Sequence, residues 1–103
     1  MTSASKLYII VLNTLSAGLK AAQACHALRA FGAGYPDIDR EWYEVSNNIV
    51  ILEHDDLTGL AERLGGHGFA LSRFHEPDMD HTLTAFCVAP EAKKMLSRLS
   101  LAG

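Results

Sequence analysis

The stretch LKAAQACHALRAF, residues 19–31, sets Lys20, Gln23 and His26 three residues apart among five alanines. On a helix, residues at that spacing are neighbours. Lys20 offers a cation for an anion or for developing negative charge, and Gln23 offers a donor and an acceptor that can orient a bound group. His26, rotated toward a flank, adds a ring that changes charge near neutrality. Lys20 falls in the first turn or so of such a helix, where a cation is disfavoured by a few tenths to about 1 kcal/mol. It therefore calls for full solvation or an anionic partner.

A second group of chemical residues is FHEPDMDH, residues 74–81, with His75, Glu76, Asp78, Asp80 and His81 in close succession. Imidazole and carboxylate together suit zinc or manganese. No recognised ligand spacing is present, however, and a polar hairpin turn needs Pro and Asp on its own account. No metal and no cofactor is expected. Nucleophile elbows, phosphate-binding loops and dinucleotide fingerprints are absent from the sequence. Neither Cys25 nor Cys87 lies in a basic, exposed-looking setting. If the chain is an enzyme, acid–base chemistry on a positioned water fits these residues better than covalent catalysis.

The elements that must position these residues follow from hydrophobic period. KLYIIVL at 6–12 is nearly unbroken in apolarity and predicts a strand buried on both faces. Ser16 is placed to cap the helix that follows, in which Ala21, Ala24, Cys25, Leu28 and Phe31 form the expected buried stripe, ended by Gly32 and Gly34. PDIDREWYEV predicts a shorter helix with Ile38, Trp42 and Val45 on one face, broken by Asn47 and Asn48. IVILE at 49–53 reads as a second buried strand. Asp55 or Asp56 caps a third helix whose stripe is Leu57, Leu60, Ala61 and Leu64, ended by Gly65 and Gly66. Strands at 69–75 and 82–89 flank the turn and form a hairpin. Pro90 opens a C-terminal helix with Met95 and Leu99 inward. The prediction is one α/β domain over residues 1–103, a three-layer sandwich with a four-stranded mixed sheet, helices on both faces, and the order β-α-α-β-α-β-β-α. Sites in such sheets lie at the carboxyl ends of strands.

The totals agree with an ordinary globular chain: 49% hydrophobic and 20% charged over 103 residues. The longest apolar run is too short to span a bilayer. MTSASK reads as a frayed start rather than a signal peptide, so a cytoplasmic location is expected, with no membrane partner. The two cysteines read as reduced core residues. A net charge of −3 argues against broad nucleic-acid coating but leaves room for a local basic patch.

KAAQACHAL at 20–28, directly after LYIIVLN, resembles the type 2 peptidyl-tRNA hydrolase family, whose first helix carries G-K-x-A-A-Q-x-x-H-A. A helix bearing Trp42 then runs into IVILE. EPD at 76–78 stands where the family has D-A-G, TAFCVAP at 84–90 is similar to its T-x-x-x-I-G-P strand and exit, and RLSLA at 98–102 is similar to its closing leucine pair. The resemblance spans nearly the whole chain and implies a short, divergent member. Such a protein would be a metal-independent hydrolase cleaving the ester between a peptide and tRNA. Its partner would be the tRNA acceptor end, and a homodimer is an expectation because the family often pairs. Gln23 and His26 match the family's Gln and His, Thr84 its strand threonine, and Glu76 takes the place of its aspartate. In that reading Lys20 positions substrate or stabilises negative charge, Glu76 or Asp78 assists a water, and Gln23, His26 and Thr84 orient groups.

The sequence also departs from the family pattern. Leu19 stands where the family has its lysine, and Lys20 comes one step later, a rotation of about 100°. Leu12 and Thr14 replace a loop arginine and aspartate, and the R-T-Q stretch and the D-A-G glycine are absent. These losses motivate an alternative, a non-catalytic module of the same fold binding a small anion, nucleotide or protein partner.

Overall fold

The computed structural model describes residues 5–102. The expected fraying of MTSASK falls largely on residues 1–4, outside the described residues. Strand β1 (Lys6–Leu12) is the hub, lying between β2 (Asn48–His54) and β4 (Thr82–Val88). β2 runs parallel to β1 from Lys6↔Asn48 to Leu12↔His54. β4 runs antiparallel to β1, and β3 (Leu71–Glu76) antiparallel to β4. β3 therefore points the same way as β1 and β2, and the carboxyl ends of all three meet at one end of the sheet.

Alternation along β1 divides the core in two. Tyr8 and Ile10 face the layer formed by helix α3 (Leu57–Gly66) and the C-terminal segment, with Leu60, Leu64, Phe86 and Leu96. Leu7, Ile9 and Val11 face helix α1 (Ala17–Gly34), with Ala24, Ala27, Phe31 and Trp42. Trp42 belongs to helix α2 (Pro36–Val45), which lies on the same side. A strand buried on both faces needs no polar residue, which is why 6–12 reads as an apolar run. The three-layer α/β architecture stands as expected.

The sheet has five strands rather than four, in the order β3-β4-β1-β2-β5. After Pro90 the chain forms only a 3₁₀ segment, Pro90–Leu96, not a C-terminal α-helix. It then turns into β5 (Ser100–Leu101), which pairs with Leu52 and Glu53 of β2. Ala92 and Leu96 are the fully inward residues there, and Met95 and Leu99 pack at the margin. With so short an outer neighbour, β2 is less buried than IVILE suggests: Leu52 alone is buried and Ile49 is exposed.

Gly32 and Gly34 do not stop α1. The helix runs through both and ends at Tyr35, whose amide donates to the Phe31 carbonyl at 2.8 Å. Pro36 is what ends it, because a residue before proline is pushed out of the helical region. Gly32 has another use. A Cβ there would lie 3.2 Å from Asp39 Oδ2, so glycine lets α2 close onto α1. The buried stripe of α1 is also rotated from the expected one. Gln23, Ala24, Ala27 and Phe31 are inward, Leu28 is half-buried, and Ala21 and Cys25 are exposed. Both cysteines are free, but only Cys87 is a core residue. In α2, Trp42 is buried and Ile38 partly so, while Val45 is 59% exposed. No helix among the described residues is long and apolar enough to cross a membrane.

Candidate active site

Ser16 caps α1 as expected, its hydroxyl accepting from the Leu19 amide at 3.3 Å. This brings the first turns of α1 over the carboxyl ends of β1, β2 and β3. Lys20 and Gln23 diverge there, three residues being 60° short of a full turn. Lys20 reaches toward β2, and its Nζ lies 2.6 Å from Glu53 Oε1, both side chains largely shielded from solvent. The cation that a helix N-terminus disfavours thus has an anionic partner inside the molecule.

Gln23 turns the other way. Its Nε2 donates to Glu76 Oε1 at 2.8 Å, and its Oε1 accepts from Thr84 Oγ1, also at 2.8 Å. Thr84 is fully buried and Gln23 is 2% exposed, so the amide is fixed at both ends in a place water hardly reaches. That leaves neither orientation nor O/N assignment free. Thr84 owes its direction to an irregularity in the sheet. Phe74 of β3 pairs with Ala85 of β4, but the next residue, His75, pairs with Leu83. Thr84 is the unpaired extra residue of a β-bulge, a device that re-aims a side chain. Leu83 and Phe86 consequently face the α3 layer, while Ala85 faces α1 and Thr84 reaches Gln23.

Glu76 ends β3. Besides the Gln23 amide, it accepts the Asp78 backbone N–H on Oε2 at 3.2 Å, which caps the 3₁₀ turn Pro77–Met79. The Gln23 amide first, then the Asp78 N–H, hold its carboxyl below the usual glutamate range, with a smaller contribution from nearby His26. Glu76 is therefore ionised throughout the neutral range. Beyond it, Asp80 and His81 adopt left-handed backbone conformations that complete the turn, φ 57° and 59°.

Of the residues singled out from the sequence, Gln23, Glu76 and Thr84 come together. Lys20 stands apart with Glu53. β2 and β3 are three strand spacings apart, roughly 14 Å. Asp78 contributes its backbone rather than its carboxylate, which is exposed. His26 is on the exposed flank, stacked on Phe74 with ring centroids 4.5 Å apart and planes at 16°. Glu53 was the residue that pattern reading passed over. Its signal is a carboxylate closing an apolar strand at the end where sites form. Among the described residues no three His, Cys, Asp or Glu side chains converge as a metal would need, at 75–81 or elsewhere.

The arrangement can hold an ionised carboxylate in one orientation beside a shielded amide, and separately keeps a lysine neutralised at the end of β2. No protein-family model matches this chain, and no curated protein matches it closely enough to count as a relative.

Proposed function

We propose that this chain hydrolyses a carboxylic ester of the peptidyl-tRNA kind, with Glu76 as the residue that handles water. One observation carries the reading. Gln23, Glu76 and Thr84, taken from three separate stretches by their resemblance to the hydrolase motif, lie in one hydrogen-bonded row. Their sequence separations are 53 and 61 residues, so local structure alone does not bring them together.

In this mechanism Glu76 accepts a proton from a bound water as the water oxygen attacks the ester carbonyl. The carbon–oxygen bond to the terminal ribose then breaks, and the proton returns from Glu76 to the departing ribose oxygen. Gln23 positions the carboxylate, and Thr84 positions Gln23. A carboxylate held this low is a weak base, so its contribution is orientation more than proton affinity. The alternative, an anion-binding module centred on Lys20, draws less support, because Glu53 already occupies the anion's place beside that ammonium.

The test is release of the blocked amino acid from N-acetyl-aminoacyl-tRNA, with and without chelator. Wild-type turnover that resists chelator and falls by about 10² or more in Glu76→Gln, a typical loss for a general base, supports the proposal. A folded protein with no turnover above buffer overturns it.

A further inference from the structure

On the far half of α1, away from Glu76, a cleft of about 510 Å³ opens between α1 and α2. Its walls include Leu28, Arg29 and Gly32 from α1 and Asp39, Trp42 and Tyr43 from α2. The volume lies in the range of small-molecule sites. Its charges are unusual for a surface groove. Asp39 is half-buried and packs down on Gly32, yet among the described residues no ion pair reaches its carboxylate. Arg29, on the opposite wall, is unpaired as well among the described residues. Two opposite charges face one cleft without meeting. Trp42, which lines the same cleft, is tied by its indole N–H to the Asn48 carbonyl, and Tyr43, also lining it, is 65% exposed. A carboxylate beside aromatic surface is the chemistry that recognises an ammonium group. A guanidinium suits a carboxylate.

We infer that this cleft is a binding site for a small zwitterion with an apolar body, of the free α-amino acid class. Its ammonium would sit on Asp39 against Trp42, its carboxylate on Arg29, and its side chain along Leu28 and Tyr43. Gly32 keeps the floor open, since a methyl group there would press on Asp39. This site is independent of the hydrolase reading.

Trp42 is the only tryptophan in the chain, so its fluorescence reports the cleft directly. The probes are L-leucine, isopentylamine, which lacks the carboxylate, and 4-methylpentanoate, which lacks the ammonium. L-Leucine should give a saturable change at millimolar concentration or below, and each single-charge analogue should bind at least about tenfold more weakly, the loss of one charge-assisted contact. Asp39→Asn should weaken L-leucine by a similar factor, and Arg29→Gln should erase the preference for L-leucine over the amine. Gly32→Ala, which leaves both charges in place, should also weaken binding by crowding Asp39, and far-UV circular dichroism and urea unfolding of every variant separate lost binding from lost folding. Wild-type fluorescence that does not respond overturns the inference. So does equal affinity for the three probes, which would mean apolar filling only.

Discussion

Replacing Thr84 by Val tests the polar row at its most buried point. The two side chains have the same shape and the same preference for a strand, so the bulge and its packing should persist. What changes is that Gln23 Oε1 loses the hydroxyl that donates to it, at a position 2% exposed where water cannot readily substitute. An acceptor left unpaired in such a place costs about 1–3 kcal/mol. In a domain of this size that lowers the melting temperature by roughly 5–20 °C. Urea unfolding followed by Trp42 fluorescence and far-UV circular dichroism measures it. Gln23→Leu orphans the other partner, and the double variant removes both. The double variant should therefore cost less than the sum of the two by about 1 kcal/mol or more. A Thr84→Val protein within about 0.5 kcal/mol of wild type, with an additive double variant, refutes the reasoning.

Two other measurements probe the same helix and its carboxylate. Ala21→Leu should leave the melt within about 0.5 kcal/mol of wild type, because Ala21 is exposed, whereas Ala27→Leu should cost about 1–3 kcal/mol by overpacking a fully buried position; equal effects would mean that α1 presents a different face. Glu76 is held below its ordinary value of 4.5, so it favours the folded state most when ionised. The stability difference between wild type and Glu76→Gln should be flat above about pH 5 and shrink as pH falls through the Glu76 titration. A difference that grows in acid would reverse the sign assigned here.

The strands and the layers were legible because they rest on period, and period is local. Leu7 to Val11 alternate between two cores as a doubly covered strand must, and Leu57, Leu60, Ala61 and Leu64 fall on one stripe. The face of α1 was harder. Counting apolar residues turns Gln23 outward and Ala21 and Cys25 inward. Burying Gln23 becomes favourable only because Thr84 and Glu76 satisfy its amide, and neither is near it in sequence. Thr84 itself is a nonlocal fact. Strict alternation from Ala85 and Cys87 sends it to the α3 side, and only the one-residue slip between Phe74 and His75 returns it to α1. β5 was illegible for a different reason. Two residues carry no period, and their strand character comes from the edge of β2 that they cover.

The two polar residues at the start of α1 therefore do opposite things. Lys20 is closed on Glu53, and a basic group already neutralised offers a phosphate little. Gln23 is closed on Thr84, but it leaves Glu76 with lone pairs beyond the two donors that hold it, since a carboxylate has about four acceptor sites. The spare capacity at Glu76 is thus acceptor capacity. A group of that kind takes protons or donors, not anions. In the proposed hydrolase reading this is why Glu76, at the end of β3, is given the water, while Lys20, the residue whose type first draws attention, is closed on Glu53 and ties α1 to β2.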